Sequence, residues 1–147
     1  MRFDGIYPGA RDNLKKMFLT EFNARARYYK SKPFEDISIN PVARARIKAL
    51  PLAEKRYVLF FTPRSGSSRL TSLAIETGVM SQPGEVFNPN FLPRIAAAMQ
   101  STGLEDYADM LARARNTQGV FGCEVTYGQM LQSFGSAGRL FKVVKPT

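Results

Sequence analysis

Residues 57–61, Tyr-Val-Leu-Phe-Phe, are apolar without interruption. From Ser67 onward the apolar residues recur at helical spacing instead. A short run rich in aromatic and β-branched residues suits a strand buried on both faces of a parallel sheet. Pro63 brings no amide hydrogen to a ladder and stops that strand. Leu70, Leu73, Ala74 and Thr77 then fall at i, i+3, i+4 and i+7, one face of a helix. Gly78 stands where a left-handed C-terminal cap belongs. The stretch therefore predicts strand, loop, helix, with residues 62–68, Thr-Pro-Arg-Ser-Gly-Ser-Ser, as the loop.

That loop has the chemistry of an anion cradle. Gly66 allows backbone to approach a ligand closely. Amides of a first helical turn have no internal partners, and the helix dipole adds partial positive charge there. Ser65, Ser67 and Ser68 offer hydroxyls, and Arg64 offers a planar fork suited to oxyanions. No G-x-x-x-x-G-K-[ST] occurs, so this is not a Walker A loop. A serine-capped turn that binds nothing is the bland alternative.

Phe61-Thr-Pro-Arg-Ser-Gly-Ser-Ser68 resembles the 5′-phosphosulfate loop of sulfotransferases that use 3′-phosphoadenosine 5′-phosphosulfate. With Gly78-Val-Met-Ser-Gln-Pro-Gly-Glu-Val-Phe87, it resembles the bacterial trehalose 2-sulfotransferase-like branch. Gly119-Val-Phe-Gly-Cys-Glu-Val-Thr-Tyr-Gly-Gln129 resembles that branch's next strand and helix. The likeness covers roughly residues 56–132, with three motifs in order. It implies sulfuryl transfer from that donor to a hydroxyl of a carbohydrate or glycolipid. The donor would bind at Arg64, Ser65, Gly66, Ser67 and Ser68. Glu85 matches the position of the family's proposed base, and the chain has no histidine to serve instead. Arg64 would share in catalysis by neutralising charge on the transferring group. Gln82 stands where relatives often carry a second acidic residue. Gln82, Tyr127 and Gln129 are candidates for the acceptor side. Glu124 reads less as a base than as a buried partner for an arginine.

The rest of the chain bounds these readings. One hundred and forty-seven residues suit one domain or part of a larger one. With no histidine and one cysteine, a zinc site is not expected, and arginine and amides would supply the positive field without a metal. Cys123 lies in an apolar run and reads as a buried, inert thiol. A single cysteine gives no disulfide framework and fits a reducing, cytoplasmic setting. No apolar run is long enough to span a bilayer.

The net charge of +9 is uneven. Residues 1–56 hold thirteen Lys or Arg against six Asp or Glu, whereas residues 57–147 hold eight against six. This sets off a basic helical leader, 1–55, from an α/β part, 56–147. Such a leader could touch an acidic glycan or a membrane surface peripherally, or simply be a solvated face. Nucleic acid is not the expected partner.

Helices are predicted over 12–30, capped by Asp12, and from Asn40-Pro41 to Leu50. In the second, Val42, Ala43, Ile47 and Leu50 should face inward, with Arg44, Arg46 and Lys48 pointing elsewhere. Further helices are expected after Asn88-Pro-Asn90 and over 104–115, the latter with Leu104, Tyr107, Ala108, Leu111 and Ala112 inward. Residues 119–125 should form a second strand leading into a short helix, 134–138 a flexible turn, and 139–144 a third strand. Strands separated by helices predict a P-loop-like parallel sheet in three layers. The family's 3′-phosphate motif, near Arg-x-Asp followed by Gln-Ala-Val-Ser, has no counterpart here. Lys142 and Lys145 could touch a phosphate but do not reproduce it. The expectation is an incomplete sulfotransferase fold: negligible activity alone, weak donor affinity, and a sheet edge that favours homo-oligomers. Two other functions stay open: a P-loop-like nucleotide phosphotransferase, and a non-enzymatic anion- or nucleic-acid-binding module.

Overall fold

A computed structural model describes residues 32–147; the helix expected over 12–30 lies outside the described residues. The order is α1 (Pro41–Lys48), β1 (Lys55–Phe61), α2 (Ser67–Glu76), α3 (Leu92–Ala98), α4 (Leu104–Ala114), β2 (Val120–Thr126), α5 (Tyr127–Phe134) and α6 (Ala137–Val144). The class is α/β. Strands β1 and β2 pair in parallel, with Leu59 opposite Glu124 and Phe61 opposite Thr126. Among the described residues the sheet has these two strands.

The third strand expected at 139–144 is instead the body of α6. An apolar run that short does not distinguish strand from helix by period alone. Its flanks decide. Gly135 adopts φ 80° and closes α5, with its amide donating to the Met130 and Leu131 carbonyls. Ser136 then caps α6, its side chain accepting from the Arg139 amide. Leu140, Val143 and Val144 are buried at helical spacing. The three-layer sheet therefore does not emerge from the described residues.

Alternation assigns the two sheet faces. Phe121, Cys123 and Val125 point into the main core, which α4, α5 and α6 cover. Within it Phe87 packs edge-on to Tyr107, centroids 5.6 Å apart, and against Phe134 at 4.9 Å. The opposite face carries Tyr57, Leu59, Gly122 and Glu124 by register. The Tyr57 ring lies directly over Gly122, where a Cβ would come within 2.1 Å of it. Strand β1 is not buried on both faces as expected. Phe60 is 53% exposed and meets Phe141 edge-on.

Helix α1 begins where Asn40-Pro41 predicts, the Asn40 side chain accepting from the Val42 and Ala43 amides. Its docking is polar, not apolar, since none of its residues is buried and Val42 and Leu50 are exposed. Arg44 points inward after all. Its guanidinium grips Asp106 through two hydrogen bonds of 2.8 and 2.7 Å and also donates to the Gln100 carbonyl. Arg113 donates to the Lys48 and Leu50 carbonyls at the other end of α1.

Candidate functional site

The loop at 62–68 leaves the C-terminal end of β1 and enters α2 with two residues in the left-handed region, Arg64 at φ 64° and Gly66 at φ 85°. Glycine adopts that conformation freely, whereas arginine is strained there. The Ser65 amide donates to the Thr62 carbonyl, and the Arg69 and Leu70 amides fold back on Gly66. No side chain caps α2. Among the described residues the Ser67 and Ser68 amides have no hydrogen-bond acceptor. Residues 62–66 are exposed, Arg64 included, so this positive helix end opens to solvent. At Gly66 it is the positive φ and not crowding that favours glycine, since a Cβ there would meet open space.

Glu85 belongs to a loop held from several sides. Val86 and Phe87 sink into the core. The Tyr107 hydroxyl donates to the Val86 carbonyl at 2.7 Å, and the Ser133 hydroxyl to the Phe87 carbonyl at 2.7 Å. The Gly84 carbonyl accepts from the Glu124 amide at 2.9 Å, so the loop runs along the free edge of β2. Ser81 extends that seam: its hydroxyl accepts from the Gly122 amide, and its carbonyl from the Tyr57 hydroxyl. Burial, partly offset by that bond to Ser81, raises the Tyr57 phenol above its ordinary range.

The Glu85 carboxylate is oriented through one oxygen. Its Oε2 accepts from Asn88 Nδ2 at 2.8 Å and Gln129 Nε2 at 2.5 Å. Gln129 is buried and doubly used, because its Oε1 also closes a capping box with Thr126 at the start of α5. It therefore positions Glu85, using one N–H of Nε2 and one lone pair of Oε1. Tyr127 is 70% exposed at the same helix end. Gln82 is exposed and lines a polar cavity with residues 114–117. The register puts the 62–68 loop and the α5 N-terminus side by side, since Phe61 pairs with Thr126. Ligands of open α/β sheets bind at this end of the strands.

Glu124 is buried, as its strand position suggests, but its partner is not an arginine. Thr71 of α2 donates its hydroxyl to Glu124 Oε1, tying the loop's helix to β2. Lys142 borders a separate surface cavity with Glu105 and Arg139, and Lys145 caps α6. Cys123 is fully buried, and burial pushes its thiol up to about 12, which makes it a poor nucleophile. Among the described residues no group of three or more His, Cys, Asp and Glu could hold a metal ion. No helix there is long and apolar enough to cross a membrane.

Sequence reasoning passed over Thr71, Ser81 and Ser133, and placed Tyr107 inward without the role of its hydroxyl; together these fix the Glu85 loop and α2. Tyr107 carried a usable signal: a tyrosine on a buried helical stripe needs an acceptor for its hydroxyl. No family model, curated protein or solved structure matches this chain.

Proposed function

We propose that the chain carries the donor-binding loop of a sulfotransferase that uses 3′-phosphoadenosine 5′-phosphosulfate. The observation that carries this reading is the open helix end: the unbonded Ser67 and Ser68 amides, Gly66 in the left-handed region, and the exposed Arg64 fork beside them. A sulfonate and the adjoining 5′-phosphate match that donor set, which offers hydrogen bonds and positive charge without a metal.

In this reading an acceptor hydroxyl, on a carbohydrate or glycolipid, attacks sulfur in line. The new bond joins acceptor oxygen to sulfur as the bond from sulfur to the 5′-phosphate oxygen breaks. Adenosine 3′,5′-bisphosphate leaves with that electron pair. Glu85 takes the hydroxyl proton through its free Oε1, while Asn88 and Gln129 hold the other oxygen. Arg64 and the loop amides stabilise charge on the equatorial and leaving oxygens. The family resemblance, and the three-layer sheet that goes with it, belong to this proposal.

Calorimetry with adenosine 3′,5′-bisphosphate and with ATP tests it. Weak but saturable binding of the bisphosphate, in preference to ATP, is expected. Tighter ATP binding would favour a nucleotide phosphotransferase instead. Binding of neither ligand, together with steeply salt-dependent binding of nucleic acid, would favour a non-enzymatic module.

A further inference from the structure

Five described arginines are not fully exposed: Arg44, Arg56, Arg113, Arg115 and Arg139. Four have protein acceptors. Arg44 holds Asp106, Arg56 holds Asp109 and the Val144 carbonyl, Arg113 holds two carbonyls of the α1 end, and Arg139 reaches Glu105. Among the described residues the guanidinium of Arg115 has no hydrogen-bond or ion-pair partner. A half-buried cation without an acceptor loses hydration and gains nothing from the protein in return.

Its surroundings resolve the imbalance. Arg115 lines a cavity of about 310 Å³ with Gln82, Ala114, Asn116 and Thr117. No carboxylate is among these residues. Asn116 is already committed, its Nδ2 to the Pro51 carbonyl and its Oδ1 to the Gly119 amide. The Gln82 amide and the Thr117 hydroxyl are free to donate beside the guanidinium. Gly84 makes room, since a Cβ there would lie 3.3 Å from Arg115 Nη1. Its carbonyl already accepts from the Val86 and Glu124 amides, so it does not answer Arg115.

We propose that Arg115, Gln82 and Thr117 form a binding site for a small oxyanion, a phosphate or sulfate group, against the loop that carries Glu85. The guanidinium fork supplies two parallel donors, and the hydroxyl and side-chain amide complete the shell. The site is separate from the helix-end cradle at residues 64–68 and does not depend on the sulfuryl-transfer reading. An anion here ties the end of α4 to the Gln82 loop and so steadies Glu85, three residues on.

The test is a nuclear magnetic resonance titration of the chain with inorganic phosphate and with glucose 6-phosphate, at ionic strength held constant with chloride. Saturable shifts are expected at Gln82, Gly84, Arg115 Nε and Thr117. They should persist in Arg64→Ala, which separates this site from the cradle, and weaken about ten-fold or more in Arg115→Gln. Equal affinity for the two probes indicates the free anion as ligand, and tighter glucose 6-phosphate indicates the anionic group of a larger molecule; both support the site. Gln82→Ala, at an exposed position that leaves the fold intact, should weaken binding about three-fold. Shifts that fail to saturate, that chloride alone reproduces, or that survive unchanged in Arg115→Gln and Gln82→Ala overturn it.

Discussion

Helices α2 and α4 carry the same kind of apolar stripe and meet opposite fates. Six residues of α4 are buried, against Ala74 alone in α2. Leu70 and Leu73 of α2 remain 51% and 44% exposed. The difference lies in what stands opposite. α4 meets the apolar side of β2 and the aromatic cluster of Phe34, Phe87 and Phe134. α2 meets the polar side, where Glu124 takes the Thr71 hydroxyl and Tyr57 covers Gly122. Stability is thus concentrated on one face of the sheet and exposed donors on the other. Segments with few buried contacts open at low cost, which suits the ligand-binding role proposed for the α2 N-terminus.

The sharpest way to separate chemistry from stability is Glu85→Gln. The amide keeps an oxygen for Asn88 and Gln129, so urea unfolding should move little. If the proposed chemistry holds, sulfuryl-transfer turnover should fall by roughly 10² to 10⁴, with donor affinity nearly unchanged, because the proposed proton acceptor is gone. A loss explained wholly by donor affinity would place the base elsewhere.

On the α4 side the expectation reverses. Leu111 is fully buried, and Leu111→Ala should destabilise by about 2–5 kcal/mol through lost transfer energy and the cavity left behind. A urea midpoint shifted by less than about 1 kcal/mol in free energy would mean that the core does not close around α4 as described.

Arg64→Ala should touch only the open side. The residue is exposed and strained, so the substitution should leave unfolding nearly unchanged. Losing its charge-assisted donor should cost about 3 kcal/mol of transition-state stabilisation. Native kcat/KM in this variant would remove the loop from the proposed chemistry.

On the core side α1 docks on α4 through a polar joint, Arg44 with Asp106. Burial works to raise the Asp106 carboxyl, but hydrogen bonds from Arg44 and Thr102 prevail and hold it below the ordinary carboxylate value. A depressed folded value means the joint's contribution is full above the unfolded pKa and is lost as pH falls through the folded one. Asp106→Asn should therefore cost about 1–2 kcal/mol at neutral pH, and the gap to the native chain should narrow in acid. Urea unfolding from pH 7 down to strongly acidic pH checks the sign. A gap that widens on acidification would contradict the assignment.

What the sequence disclosed follows the same division. Periodicity found the α4 stripe, and the apolar run of β2 marked Cys123 as buried, because burial there is one-sided and complete. It found the loop at 62–68 and Gly78, because breakers and caps are local chemistry. It failed at 139–144, where helix and strand share one apolar run and only Ser136 and Gly135 arbitrate. It misjudged β1 and α1 because burial depends on what lies across the contact, and Arg44 finding Asp106 sixty-two residues away leaves no local trace. At the candidate site, residue types were legible while their restraints were not. Gln129 read as an acceptor-side candidate, and nothing local announced that it also closes the capping box and holds Glu85.

The smallest effect gives the finest test of the contrast between α2 and α4. Leu73 sits on the α2 stripe at the position that Leu111 occupies in spirit on α4, yet it stays half in water. Area removed from water sets the hydrophobic term, so most of what Leu111 contributes is missing here. Leu73→Ser also lowers helix propensity slightly, by a few tenths of a kcal/mol in an exposed helix. The expected net change is within about 0.5 kcal/mol of native, since exposed positions rarely carry more. Urea unfolding of Leu73→Ser beside Leu111→Ala, in the same buffer, measures the difference directly. A cost above about 2 kcal/mol at Leu73 would mean that this face of α2 is covered in solution, and the asymmetry between the two sides of the sheet would vanish.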